Sequence, residues 1–388
     1  MNRRLLPFAF AFAPAVLAYA CSSSDDGGGG TDTDAGTTET GPGADTSTND
    51  DGAVTDAAKK DTSAPSNNPL EGLGPVTAVA NINFPVEGPQ WVTDSIYVSN
   101  LNKAVIKFTP SMPLVATGGA GDNPIEHYLS TNAGAVSTLG NAIDDSIKSP
   151  TPTLLTLEVN NGAPGASVIR TPFTGAFPRT GTALTVVADG GGAPTFDSPN
   201  DLIVRKTDGT IYMTDPAYQS TGVTTNHIWR LKPTAVGTDY DVIEIQLAGQ
   251  PNGIALSPDN KTLYVSLTGP AGGPPPPTPR IEKYAVAADG SLGPATKFAD
   301  VPPAPAAGMP ETGSLADGLA VDSAGNVYVA VKNGVDVFKP DGLSKWGHIT
   351  TTTIANGVAF GEADKKTLYI TTQGGLFKTV VKVAGLGN

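Results

Sequence analysis

Five polar residues recur along the chain with matching neighbours, and together they carry the means to bind a cation. Glu87, Asn200, Asn252, Asp317 and Asn356 each stand just ahead of an apolar strand. Two carboxylates and three carboxamides offer only oxygen ligands, a set that suits Ca²⁺, Mg²⁺ or Mn²⁺. The single cysteine is Cys21, and none of the three histidines (His127, His227, His348) occupies one of these places, which argues against a His-rich or Cys-rich zinc site. Asn-Gly and Asp-Gly are also common turn dipeptides whose side chains cap local backbone. A lone Asn252-Gly would be read that way. A set of such heads in register, one of them a Glu, points to a shared site.

The neighbours form a repeat. Glu87-Gly-Pro-Gln-Trp-Val leads to Ser95-Ile-Tyr-Val-Ser, and Asn200-Asp-Leu-Ile-Val to Thr210-Ile-Tyr-Met-Thr. Asn252-Gly-Ile-Ala-Leu leads to Thr262-Leu-Tyr-Val-Ser, Asp317-Gly-Leu-Ala-Val to Asn326-Val-Tyr-Val-Ala, and Asn356-Gly-Val-Ala-Phe to Thr367-Leu-Tyr-Ile-Thr. Each unit is a polar head, a small or acidic residue, an apolar strand, a turn, and an apolar-Tyr-apolar strand. In the Asn200 unit, Asp208-Gly209 between β-formers marks a hairpin. The interval from Glu87 to Asn200 is about twice the next, so it must hold a diverged unit. Gly140-Asn141-Ala-Ile followed by Leu154-Leu-Thr-Leu-Glu-Val fits that place and offers Asn141 as a further head.

Six units of ~50 residues over 73–388, with no long apolar stretch at helical period, predict an all-β, six-bladed β-propeller of four-stranded antiparallel blades. Val105 to Phe108, Ser167 to Arg170, His227 to Leu231, Ile281 to Tyr284 and Val335 to Phe338 are the expected outer strands. Gly118 to Thr138 and the Pro-rich Gly269 to Pro279 read as inserts. In a propeller the starts of the innermost strands gather at one end of a central channel, so residues distant in sequence converge there. Asp201 is expected to point into the blade or a turn, and Asp215 to be structural.

The N-terminal part has a different composition. Residues 1–20 read as an export signal: Arg3-Arg4, an apolar run Leu5 to Leu17, then Ala18-Tyr19-Ala20 before Cys21. A lone cysteine at that point resembles the bacterial lipoprotein pattern. The expectation is a protein lipidated at Cys21 and anchored in the outer membrane. Residues 21–72 are rich in Gly, Ser, Thr and Asp, a composition that cannot offset its ordering entropy and serves as a tether. Most of the chain's net charge of −13 belongs to this segment. The acidity excludes nucleic acid as a partner, which requires a basic face. A monomer is expected.

The quoted motifs, with Ser198-Pro-Asn-Asp-Leu, Tyr212-Met-Thr-Asp-Pro-Ala-Tyr218 and Pro251-Asn-Gly-Ile-Ala-Leu-Ser-Pro-Asp, resemble the senescence marker protein/gluconolactonase/luciferin-regenerating enzyme family over residues 74–380. The Ser-Pro-Asn-Asp form is similar to its bacterial gluconolactonase branch. The resemblance implies one divalent cation in the channel, Ca²⁺ first and Mg²⁺, Mn²⁺ or Zn²⁺ as alternatives. Carried over, the ligands are Glu87, Asn252 and Asp317. Asn200 then contacts the substrate or completes the coordination. The animal branch has an Arg two residues before that Asn for sugar binding; here the position is Ser198. The implied activity is metal-dependent hydrolysis of a lactone or related ester, with Asp317 as general base. The alternatives are phosphotriester hydrolysis and a non-catalytic binding or scaffold propeller with a structural cation.

Overall fold

A computed structural model describes residues 67–80, 86–100, 104–110, 126–129, 137–149, 151–159, 166–174, 179–188, 194–217, 225–234, 239–247, 249–268, 279–301 and 316–386. The export signal, Cys21 and most of the tether lie outside these residues, as does most of the Gly269 to Pro279 insert. The described residues contain strands and turns and no helix.

The strands run in chain order as six sheets. After β1 (Thr77–Ala80), blade 1 is β2 (Val86–Val92), β3 (Ser95–Asn100), β4 (Ala104–Phe108) and β5 (Glu126–Leu129). Blade 2 is β6 (Ser137–Asp144), β7 (Thr153–Val159) and β8 (Ser167–Pro172), followed by the short β9 (Arg179–Thr180), β10 (Thr182–Ala183) and β11 (Thr185–Ala188). Blade 3 is β12 (Leu202–Val204), β13 (Ile211–Asp215), β14 (Asn226–Pro233) and β15 (Asp239–Leu247). Blade 4 is β16 (Pro251–Leu256), β17 (Thr262–Leu267), β18 (Arg280–Ala285) and β19 (Thr296–Asp300). Blade 5 is β20 (Leu319–Val321), β21 (Val327–Val331), β22 (Gly334–Phe338) and β23 (Lys345–Thr350). Blade 6 is β24 (Ala355–Gly361), β25 (Thr367–Thr372) and β26 (Gly375–Val380), completed by β1 from the other end of the propeller's sequence.

This is the six-bladed propeller the repeat predicts, and each expected outer strand is present. Every blade is an antiparallel meander, but blades 1 and 3 each gain a fifth strand by parallel pairing, β9 on β5 and β11 on β15. β10 pairs with β8, so 179–188 runs along the outer edges of three blades in turn. Residues 67–72, assigned to the tether by composition, are folded: Leu70 packs with Leu73 and Val76 on the apolar seam of blades 5 and 6, and Pro69 O accepts a hydrogen bond from Lys382 N.

The core is divided among the seams. Each apolar cluster joins two neighbouring blades, as Leu155, Leu157, Leu202 and Met213 do for blades 2 and 3. The tyrosine of the repeated strand fills these seams, and in blades 3 and 6 its hydroxyl finds a partner at a turn: Tyr212 donates to Gly290 O at 2.7 Å and Tyr369 to Glu362 Oε1 at 2.6 Å. Burying one face of every strand against a neighbour pins the register, since a slip of one residue would turn the polar face inward.

Candidate functional site

The heads are aimed by bulges. Asn200 N donates to Thr214 O and Thr214 N donates to Asp201 O, both at 2.9 Å, so two residues of the inner strand oppose one of the next. Asp317 and Gly318 oppose Ala330 in the same way, with both bonds at 2.9 Å. The ladders of blades 1, 4 and 6 also slip at the head, between Glu87 and Gln90, Pro251 and Ile254, and Ala355 and Gly357. A bulge re-aims a side chain that regular pleating would send elsewhere. Where the residue after the head is glycine, the blades touch there. A Cβ on Gly253 would lie 2.5 Å from Asp317 O, and one on Gly318 would lie 2.8 Å from Asn356 O.

Together these residues line one end of an axial cavity of about 360 Å³. Glu87, Asn200, Asp201, Asn252, Asp317 and Asn356 all contribute to its wall, and Lys206, Ser257 and Asn260, beyond the far ends of the inner strands, line the rest with apolar residues between. Asn200, Asn252, Asp317 and Asn356 keep less than a tenth of their surface exposed. The convergence expected of Glu87, Asn200, Asn252 and Asp317 is therefore present in the fold.

Two expectations change. Asn141 lies two residues past the head position: it pairs with Thr156 as Ile254 pairs with Val265, so Leu139 takes the head position of blade 2 and Gly140 the glycine place after it. Asn141 is fully buried away from the cavity; its carboxamide donates to Gly88 O and to Ser99 Oγ, both at 2.8 Å, and accepts from Thr156 Oγ1 at 2.7 Å. It rivets blade 2 to blade 1. Asp201, in contrast, joins the site. It occupies the place that the other five blades give to glycine, and its carboxylate lies in the cavity wall, where it accepts Leu202 N at 2.9 Å and Ile254 N of blade 4 at 3.2 Å. The signal was in the sequence as the one head motif without a glycine after it.

The three acids act on one another. Burial pushes Glu87 up to about 8, with the Asp201 charge adding to it. Burial pushes Asp201 up to about 7 against the pull of the Leu202 and Ile254 N–H groups. Asp317 is held well above the usual carboxylate range by burial and then by Glu87 and Asp201, despite hydrogen bonds from Gly318 N–H and the Asn252 carboxamide. Among the described residues no three His, Cys, Asp or Glu side chains form a metal-binding group, so a cation here draws part of its shell from carboxamides. Crowded, partly desolvated carboxylates flanked by Asn200 and Asn252 are a donor set that fits a hard divalent cation.

Neighbouring residues hold this arrangement. Asp215 is structural as expected: it accepts Asp197 N at 3.0 Å, Ser198 N at 2.7 Å and the Trp229 indole N–H at 2.8 Å, fixing the segment that delivers Asn200. Ser198 turns its hydroxyl to Asp197 and to the Pro216 carbonyl and does not line the cavity. Asn356 lines the cavity, but its Nδ2 donates to Val86 O at 3.2 Å, tying blade 6 to blade 1.

A family model described as the SMP-30/Gluconolactonase/LRE-like region matches residues 165–374, which include Asn200, Asn252, Asp317 and Asn356. The chain is 33% identical over 170 residues to a gluconolactonase of Zymomonas mobilis subsp. mobilis, covering 41% of this chain and 43% of that protein. It is 30% identical over 142 residues to pentonolactonase XacC of Haloferax volcanii, covering 36% of this chain and 43% of that protein. The match thus spans less than half the length of these curated relatives. Among solved structures, a gluconolactonase from Xanthomonas campestris superposes with a TM-score of 0.59 at 26% identity, over 80% of this chain and 90% of that one.

Proposed function

The chain belongs to the SMP-30/Gluconolactonase/LRE-like family, and from that premise we propose that it opens a lactone of the sugar-acid class, or a related ester, at the Glu87 end of its channel. The observation that carries the reading is the convergence of Glu87, Asp201 and Asp317 with Asn200 and Asn252 in one recessed, oxygen-rich pocket. The relatives named as gluconolactonase and pentonolactonase support the substrate class.

Lactone opening needs a deprotonated water at the carbonyl carbon, stabilisation of the oxyanion, and a proton for the departing ring oxygen. Asp317 is the general base. Burial and its acidic neighbours raise its proton affinity, which suits it to take the water proton and return it to the ring oxygen. The hydrogen bond from Asn252 orients the carboxylate. The NH₂ groups of Asn200 and Asn252 are the chain's own donors toward substrate oxygens. Glu87, Asn200, Asn252 and Asp317 would hold a divalent cation, Ca²⁺ first, which when bound supplies Lewis-acid charge against the developing oxyanion.

The test is a panel of aldonic-acid γ- and δ-lactones and phosphotriesters, assayed with Ca²⁺ and with chelator. Lactone turnover that is lost on chelation and falls about 10³-fold or more in Asp317→Asn is expected. Turnover surviving both treatments would sink the reading, and a preference for phosphotriesters would replace the substrate class.

A further inference from the structure

The channel mouth is closed by a collar of hydrogen bonds between blades, and the proposed chemistry leaves its members unassigned. At four seams the residue after a head sends its backbone N–H towards the head carbonyl of the next blade. Between blades 2 and 3 the bond is direct, Gly140 N to Asn200 O at 2.8 Å, and between blades 5 and 6 it is direct again, Gly318 N to Asn356 O at 2.9 Å. At the two seams between these a hydroxyl is inserted. Asp201 N donates to Thr214 Oγ1 at 3.0 Å, and that hydroxyl donates to Asn252 O at 2.6 Å. Gly253 N donates to Ser266 Oγ at 2.8 Å, and that hydroxyl donates to Asp317 O at 2.7 Å. Thr214 and Ser266 occupy equivalent places in β13 and β17, and neither has any exposed surface.

The two relays deliver the two heads that hydrogen-bond each other, Asn252 and Asp317. We propose that Thr214 and Ser266 are positioning residues, each fixing the carbonyl of one head and thereby the direction in which its side chain enters the channel; the assignment rests on the lactonase reading. A hydroxyl both accepts and donates, so it satisfies an N–H and a C=O that are too far apart to meet directly. Without it, either both groups stay buried and unpaired or the two blades close by part of the width of an oxygen atom. Either outcome shifts a head by a fraction of an ångström, on a scale to which reacting groups are sensitive.

The variants are Ser266→Ala and Thr214→Val, with Ser266→Thr and Thr214→Ser keeping the hydroxyl. Thr379→Val is the comparator, since Thr379 is also buried and its hydroxyl donates to Gly74 O at 2.7 Å on the outer side of blade 6. All three deletions should lower the melting temperature. Only Ser266→Ala and Thr214→Val should lower kcat, by about tenfold or more with KM little changed, and the hydroxyl-retaining variants should restore it. Calorimetric Ca²⁺ titration gives a readout independent of any lactone, and a weaker affinity is expected in Ser266→Ala. Should that variant not fold, the near-isosteric Thr214→Val carries the same test. Wild-type kcat and wild-type Ca²⁺ affinity in the deletion variants would overturn the assignment. A wild-type protein that binds Ca²⁺ but opens no lactone, with weakened binding in Ser266→Ala, removes the lactonase reading and keeps the positioning role. A wild-type protein that neither binds Ca²⁺ nor opens a lactone overturns both.

Discussion

Two regions of this propeller bury aspartates, and they treat them in opposite ways. In blade 5, Asp336 on β22 faces β23, where Lys345 Nζ reaches it at 2.8 Å and His348 Nδ1 at 2.9 Å. Burial works against the Asp336 charge, but the bonds from His348 and Lys345 outweigh it and hold the group below the usual carboxylate range. At the channel mouth, burial raises Glu87, Asp201 and Asp317, and the neighbouring charges acting on Glu87 and Asp317 are other carboxylates. A fold that supplies partners for one buried acid and sets three others against each other is spending stability at the mouth. Such arrangements mark sites kept for binding or chemistry.

The largest effect expected from this contrast is in Glu87→Gln. Neutralising one of three crowded acids should cost about 10³-fold in lactone hydrolysis while raising the melting temperature of the chelated protein by roughly 3 °C at pH 8. The sign follows from the raised carboxylates. Their contribution to stability is fully present below the ordinary value of 4.5 and is lost as pH rises through about 8 for Glu87. The chelated wild type should therefore melt higher at pH 5 than at pH 8, and Glu87→Gln should narrow the gap. Scanning calorimetry in chelator decides it: a variant that melts below wild type at pH 8 would remove the idea that these acids oppose folding.

Asp336→Asn should show the reverse pattern. Stability at pH 7 should fall by about 2 kcal/mol, because Lys345 loses its carboxylate partner and one acceptor of the buried group becomes a donor. Lactone kcat/KM should stay unchanged. The folded-state value of Asp336 is depressed, so its stabilisation is present above the ordinary 3.8 and is lost as pH falls through the lower folded value. Denaturant melts of the two proteins should converge in that acidic range. A gap that persists there would mean the loss came from packing and not from charge.

Much of this was legible in the sequence because a repeat converts local ambiguity into register. Asn200, Asn252 and Asp317 each carry a turn-like signature alone, and the spacing they share with Glu87 from an apolar-Tyr-apolar strand brings all four to one channel end. Asn141 is not a head because its blade has no polar one: Leu139 holds that place, and the nearest carboxamide stands two residues further along, past the bulge. Asp201 was undervalued for the opposite reason. A side chain in the glycine place should clash with the next blade, but the Asp201 carboxylate reaches the Ile254 N–H instead. The Thr214 and Ser266 relays could not be read at all, since a hydroxyl in an apolar strand carries no sign of the neighbouring blade it will meet.

The smallest of the expected effects tests whether register alone makes a site residue. Asn356 has the same place in its bulge as Asn252 and borders the same cavity, yet its Nδ2 donates to Val86 O and its carbonyl accepts Gly318 N. Its side-chain N–H and its backbone carbonyl are each committed to a neighbouring blade. Asn356→Ala should then cost about 1 kcal/mol for the lost hydrogen bond, read as a melting temperature lower by roughly 3 °C, with kcat/KM within about threefold of wild type. Asn252→Ala, by contrast, removes the group that bonds Asp317 and should cost about 10²-fold in turnover. If the two substitutions cost the same activity, the site is a ring of five heads and the boundary between closure and chemistry has to move to include blade 6.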